Sequence, residues 1–442
     1  MLKKINGNED DSGAAVEISK ANFPSPFYSG LEYAAPARGT WNIVHTGFLL
    51  PEAHEIFVCA EGCLRGVVLT AAEMGASERF STISICENNI LDGDMEDLIV
   101  DGVADILNKL PYKPKAVLVY TSCVHHFIGC DLPLVYKRLK EKYKDIDFAD
   151  CYMNPIMRRS GLTPDMLMRS RLYSLLKEHP QNKKSINIIG NDFATDKNSE
   201  LVKIIKKNGF SLQEIQSCKT YSDYQKMAES SLNITYQAAA NPGANELQKR
   251  LNQKHLYLPL SFDYQKITDN YNLLCDELKI DRCDFKFEIE SCEKALNNLK
   301  LKIGDTPVAI DYTATFKPLE LALLLIKHGI NVERIYVDSF SDEEKSAFAE
   351  LQKISPDLKI IATVNVKMRF LQRKTDSKYL AVGQKAAYFT GSNNFVNIVE
   401  CGGYYGFSGI IEICNLMLDA FEYEKDAKSL ISVKGLGCGC SL

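Results

Sequence analysis

Residues Ala116–Asp131 read AVLVYTSCVHHFIGCD. Ala116–Thr121 is uncharged and rich in β-branched and aromatic residues, which predicts a strand buried on both faces. Cys123, His125 and His126 follow it at once, and a helix-period segment runs over Asp131–Tyr143. Strand, turn and helix in that order form the repeating unit of a parallel α/β sheet. In such sheets ligands bind beyond the carboxyl ends of the strands. The residues just after each strand are therefore the candidates for chemistry.

The same unit recurs outward from this stretch. Glu55–Val58 (EIFV) and Ser81–Ile85 (STISI) read as strands, and Leu64–Met74 and Gly93–Leu110 as helices. Ser185–Gly190 (SINIIG) precedes a helix over Ser199–Asn208, and Val308–Tyr312 (VAIDY) precedes one over Pro318–His328. Arg334–Asp338, Lys359–Val364, Ala386–Phe389 and Phe395–Val399 are further expected strands. The charged stretch Lys177–Lys184 and a long helical stretch from about Asp263 to Leu301 mark two boundaries. The expectation is an α/β protein of three Rossmann-like units with mainly parallel sheets, over 1–183, 184–300 and 301–442.

The chain has 442 residues and a formal net charge of −5, so no broad positive field exists for coating nucleic acid. Met1–Gly13 lacks an apolar core, which argues against a secretory signal. The longest uncharged apolar stretch, Ala116–Cys130, contains two histidines and is too short to span a bilayer. A cytoplasmic, reducing location is expected, with no membrane and no nucleic-acid partner. The 14 cysteines then read as core thiols, redox groups or metal ligands.

Cys59, Cys63, Cys86, Cys123 and Cys130 lie close together in the sequence of the first unit. Three expected strand ends deliver thiols toward one edge of a sheet, which suits a soft-metal site such as an iron–sulfur cluster or zinc. No CxxC pair is present, so a zinc ribbon is not expected. His125 and His126 read either as proton relays or hydrogen-bond donors to a cluster sulfur, or as helix-capping and packing groups. Asp131 reads as a helix cap. Arg158 and Arg159 follow another expected strand, where they would grip an anionic substrate or form surface ion pairs. Glu400 and Cys401, in the glycine-flanked ECGGYYG, are expected beside a cavity between units. Cys438 and Cys440 read as a tail or as an extra thiol pair. No P-loop occurs, so the chain is not expected to hydrolyse ATP itself.

Val58–Cys63 (VCAEGC), Ser84–Gly93 (SICENNILDG), Thr121–Asp131 (TSCVHHFIGCD) and Gly402–Asp419 (GGYYGFSGIIEICNLMLD) together resemble the nitrogenase component 1 family, in order and over most of the chain. That family includes molybdenum–iron protein subunits, cofactor-assembly scaffolds and dark-operative protochlorophyllide reductase. The resemblance implies an interfacial iron–sulfur cluster, 4Fe-4S or larger, with Cys63 and Cys123 as ligands. Ala34, in EYAAPARG, stands where the family has a further cysteine, and Cys59 or Cys86 would replace it. An alternative register makes Cys59 the first ligand. Gln237 stands where molybdenum nitrogenase has its cofactor cysteine, and no histidine lies near Phe395–Gly403, so no molybdenum–iron cofactor is expected. His125, His126, Arg158, Gln237, Glu400 and Cys401 are the expected cavity residues. The implied activity is a nitrogenase-like oxidoreductase acting on a small molecule other than dinitrogen. The implied partners are a homologous subunit, in a homodimer or heterodimer, and a separate ATP-hydrolysing iron–sulfur reductase protein. A non-catalytic assembly scaffold, or a fold that has lost its cluster, are the other readings.

Overall fold

The computed structural model describes residues 10–35, 37, 42–154, 161–372 and 378–432. The N-terminal strand β1 (Ala15–Glu17) pairs antiparallel with a segment near the other end of the chain, Lys359–Ile361. A first parallel sheet follows: β2 (Ala53–Cys59), β3 (Phe80–Ser84), β4 (Ala116–Ser122) and β5 (Asp147–Met153), in the order β3-β2-β4-β5. A second contains β6 (Asn182–Ile188), β7 (Ser211–Gln213), β8 (Ser230–Thr235) and β9 (Lys254–Tyr257), in the order β7-β6-β8-β9. The third joins β10 (Val308–Asp311), β11 (Val332–Tyr336), β12 (Lys359–Ile361), β13 (Leu380–Val382) and β14 (Phe395–Val396), with β1 at its edge. Among the described residues every pairing of these strands except that of β1 is parallel, and an isolated antiparallel bridge joins Glu32 to Asn365.

Burial explains why these runs are strands. All seven residues of β2 and of β4 are buried, because helices cover both faces of the sheet. One face of β4 packs Val117 and Val119 against Val100, Val103 and Val135, and the other packs Leu118 and Tyr120 toward Leu172 and Tyr173. The helix Met95–Lys109 turns its apolar stripe onto the sheet, within the expected Gly93–Leu110. Asp131 caps the helix Leu132–Lys142, its carboxylate accepting the Leu134 N–H at 3.1 Å.

Two expectations are corrected. Ala386–Phe389 belongs to a helix, Gln384–Thr390, and the strand is the preceding β13. A fully buried apolar run fits either element. Gly383, at φ +109°, turns the chain, and the Asp311 carboxylate accepts the Ala386 N–H at the helix start. The long helical stretch is two helices, Tyr264–Leu278 and Lys286–Ile303, parted where Lys279 takes a left-handed conformation. Among the described residues no helix is long and apolar enough to cross a membrane.

Units two and three are locked through glycine. Gly403 lies at φ +85°, and its carbonyl accepts the Asp196 N–H at 2.9 Å. A Cβ there would sit 2.0 Å from the Ala194 carbonyl oxygen. Gly403→Ala is therefore expected to cost about 2 kcal/mol or more, from the clash and the left-handed backbone together. A lower urea midpoint for the variant checks this.

Candidate functional site

Two places collect chemistry. The first is the carboxyl edge of the first sheet. Cys59 ends β2 and pairs in register with Ser84, so Cys86 stands two residues further on the neighbouring β3 side. Thr121 pairs with Val58, which puts Cys123 just beyond the end of the neighbouring β4. Cys63 lies in the first turn of the helix Glu61–Glu73, its N–H donating to the Ala60 carbonyl at 2.9 Å. Cys63 and Cys86 are exposed, Cys123 half-buried and Cys59 buried. Burial pushes the Cys59 thiol up to about 12, with the nearby Cys63 and Cys123 sulfurs adding to the shift. These three thiols are thus electrostatic neighbours.

His125 sits behind them. Its Nδ1 accepts the Ser122 N–H at 3.0 Å in a capping arrangement, and its buried Nε2 has no partner. His126 is exposed. Cys130 is half-buried and faces Glu96, and burial followed by the Glu96 charge pushes its thiol up to about 12. Ala34 is exposed and lies elsewhere: its neighbour Tyr33 donates an N–H to the Val364 carbonyl, three residues beyond β12 of the third sheet, at 2.7 Å. Among the described residues no three His, Cys, Asp or Glu side chains close on a single metal ion. The same edge carries exposed apolar side chains, Val68, Ile90, Leu91, Phe127 and Ile128, on the three helices that carry or follow the thiols. Phe127 is 70% exposed and Leu91 80%.

The second place is a cavity of about 700 Å³ where the three sheets meet. Ile43, Val67 and Met153 from the first unit, Gln237 from the second and Phe316 and Glu400 from the third line it. Its polar centre is Arg169, on the helix Pro164–Tyr173 and almost wholly buried. Arg169 Nη2 and Nη1 donate to the Asp192 carboxylate at 2.7 and 3.1 Å, and Nη1 to the Gly190 carbonyl at 2.5 Å. Its Nε donates to Asp165 at 3.0 Å. Gln237 donates its amide N–H to the same Gly190 carbonyl. Glu400 Oε2 comes within 3.5 Å of Arg169 Nη2 but lacks hydrogen-bond alignment, so this buried oxygen has no donor.

The backbone aims Glu400. Glu400, Cys401, Gly402 and Gly403 all have positive φ, 49°, 61°, 56° and 85°. Glu400 and Cys401 donate their N–H groups to the Thr313 and Ala314 carbonyls at 2.7 Å each, beyond the end of β10. Two successive left-handed non-glycine residues store strain, and strain of this kind gathers at functional positions. Cys401 is buried behind the cavity wall, and burial pushes its thiol up to about 12.

Electrostatics separates the carboxyls. Burial alone would raise Asp192, but the Arg169 guanidinium overrides it, with further help from Glu400 and the Thr46 hydroxyl at 3.1 Å, and holds it below the usual range. Burial pushes Glu400 well above that range, and the adjoining Asp192 carboxylate adds to the effect. Asp192 is thus the anion and Glu400 the neutral acid. Also lining the cavity, Glu344 accepts the Leu319 N–H at 2.8 Å, and burial raises it to about 7.

The family model for nitrogenase component 1 type oxidoreductases matches residues 50–421. The chain belongs to this family. Two solved structures of nitrogenase Cp1 are similar in fold. The one at pH 6.5 has a TM-score of 0.63 at 13% identity, covering 90% of this chain and 94% of that one. The one at pH 5 has a TM-score of 0.58 at 15% identity, covering 93% and 94%. No curated protein matches the sequence significantly. Within this nitrogenase component 1 type chain, Gln237 and Glu400 lie on the cavity wall, whereas His125 and His126 belong to the thiol edge. Arg158, Arg159, Cys438 and Cys440 lie outside the described residues.

Arg169, Asp192 and Glu344 were not singled out in sequence. Asp192 could have been, since it lies two residues after SINIIG, beyond a strand end. Arg169 sits mid-helix in MLMRSRLY and carries no such signal.

Two outcomes follow. Arg169→Met leaves the Asp192 charge buried and uncompensated, so the variant is expected to lose about 3–5 kcal/mol in chemical denaturation. Glu344 holds a proton in the folded chain up to about pH 7, whereas unfolding returns it to the ordinary value of 4.5. The folded state then binds more protons, so its stability falls as pH rises through that window and levels off above it. Glu344→Gln is expected to flatten that fall in urea titrations taken across the same window.

Proposed function

We propose that the chain is one subunit of a nitrogenase-like reductase that carries an iron–sulfur cluster at the carboxyl edge of its first sheet. The single observation that carries this reading is the meeting of Cys59, Cys63 and Cys123, with Cys86 alongside, at three adjacent strand ends. The donor set is all thiol, which fits iron–sulfur chemistry. Cys63 and Cys123 are the proposed ligands, with Cys59 or Cys86 in place of the residue that Ala34 lacks. When bound, the cluster supplies one-electron redox chemistry at low potential.

The chain's own residues do the rest. Exposed Leu91 and Phe127 flank the thiols and would be covered by a homologous subunit, identical or not. His125 Nε2, buried and unpartnered, is available to donate toward a sulfur. Electrons are proposed to come from a separate ATP-hydrolysing iron–sulfur reductase protein. A small-molecule substrate other than dinitrogen would occupy the cavity beside Glu400. Gln237 binds the Gly190 carbonyl there, and its amide is a poor iron ligand, so we propose no molybdenum–iron cofactor.

Protein purified without oxygen is expected to contain iron and acid-labile sulfide, and Cys123→Ala is expected to lose most of both while remaining folded by circular dichroism. Full iron retention in that variant would refute the ligand assignment. ATP-dependent oxidation of the reduced protein by substrate separates an enzyme from an assembly scaffold.

A further inference from the structure

We propose that Glu400 is a proton donor to a neutral, largely hydrocarbon molecule that enters the cavity between the three units and presents a basic nitrogen or carbonyl oxygen to it. This rests on the preceding reading for its electrons but not for the site. The cavity wall is mainly aliphatic and aromatic, through Ile43, Val44, Val67, Met153, Phe316 and Val337. A buried carboxyl oxygen with no donor lies on that wall. A carboxyl in this state serves best by giving or accepting a hydrogen bond from something that arrives.

Three constraints fit donation rather than structural support. The left-handed run Glu400–Gly403 fixes the carboxyl's position by backbone bonds to Thr313 and Ala314, at the expense of strain. Arg169 spends its hydrogen bonds on Asp192, Asp165 and Gly190, so Glu400 is not its aligned partner. Asp192 shares a side-chain hydrogen bond with Glu400 and keeps the negative charge, so the Glu400 proton is held between the two carboxyls until a bound molecule competes for it, while Oε2 stays without a partner. The charged and titratable groups facing Glu400 are Arg169 and Asp165 from one helix and Asp192 from the end of β6. Tyr312 and Glu344 also line the cavity.

The transfer balances as follows. The Glu400 O–H bond breaks, an N–H or O–H bond forms on the bound molecule, and Glu400 is left as a carboxylate beside Arg169. In a two-electron reduction of a C=N or C=O bond, Glu400 supplies the proton at the heteroatom and water supplies the one at carbon. The two electrons come singly from a low-potential iron–sulfur donor. Water at the cavity mouth then returns the proton to Glu400.

Isoquinoline is a suitable probe, because it is a flat hydrocarbon base that is neutral in water at neutral pH and its ultraviolet spectrum distinguishes base from cation. With the full chain at neutral pH, bound isoquinoline is expected to stay the neutral base, with its ultraviolet band shifted by a hydrogen bond from Glu400. Glu400→Gln is expected to reduce that shift and to bind it about tenfold more weakly. Infrared difference spectra of wild type against Glu400→Gln are expected to contain a protonated-carboxyl band that shifts in deuterium oxide and moves again when isoquinoline binds. If Glu400→Gln does not fold, Glu400→Asp serves instead: it keeps an acid but draws it back, and is expected to retain the carboxyl band and lose its response to isoquinoline. An isoquinoline spectrum unshifted by wild type, no binding, or no carboxyl band would each overturn the proposal. None of these readouts uses iron or the thiols, so loss of the cluster reading and loss of this one are distinguishable.

Discussion

Arg169 holds the molecule together at its centre. One guanidinium, carried by the helix Pro164–Tyr173 of the first unit, is held between Asp192 of the second and Glu400 of the third. Taking a guanidinium out of water is costly unless its donors are satisfied, and here Asp165, Asp192 and the Gly190 carbonyl satisfy them. The cluster also fixes the cavity, because these side chains and the Gly190 and Glu400 backbones set the distance between the three sheets at that point. Burial, and then the adjoining Asp192 carboxylate, push Glu400 well above the usual carboxylate range, which makes it the protonated member of the pair.

Two candidate centres then share one scaffold. The helix Glu61–Glu73 carries Cys63 in its first turn and Val67, a cavity-wall residue, one turn later. An electron-transfer site on the outer edge and a substrate site at the junction would therefore be linked by a single rigid element. The thiol edge carries exposed apolar side chains, whereas the cavity lies inward, at the junction of the three sheets. That division matches a protein that meets a partner at one face and a small molecule inside.

The parallel sheets were legible in sequence where burial is complete. Ala116–Tyr120 and Val308–Ile310 are continuous apolar runs because both faces are covered, and the structure has strands there. The same property misled at Ala386–Phe389, where an equally buried run is helical and only the left-handed Gly383 and the Asp311 carboxylate decide it. β1 was unreadable, since three residues at an antiparallel edge owe their strand to a partner more than three hundred residues away. The thiol positions followed from strand ends and so were visible. The Arg169 cluster was not, because its members are common residue types, lie in three separate units, and become unusual only when buried together.

The central claim is that iron lies at the edge formed by Cys59, Cys63, Cys86 and Cys123. Anomalous diffraction at the iron absorption edge, from crystals grown without oxygen, tests it most directly. The account predicts iron peaks beside the Cys63 and Cys123 sulfurs, at a contact between two subunits. Iron absent from that edge in crystals of iron-replete protein, or bound only elsewhere, would contradict it.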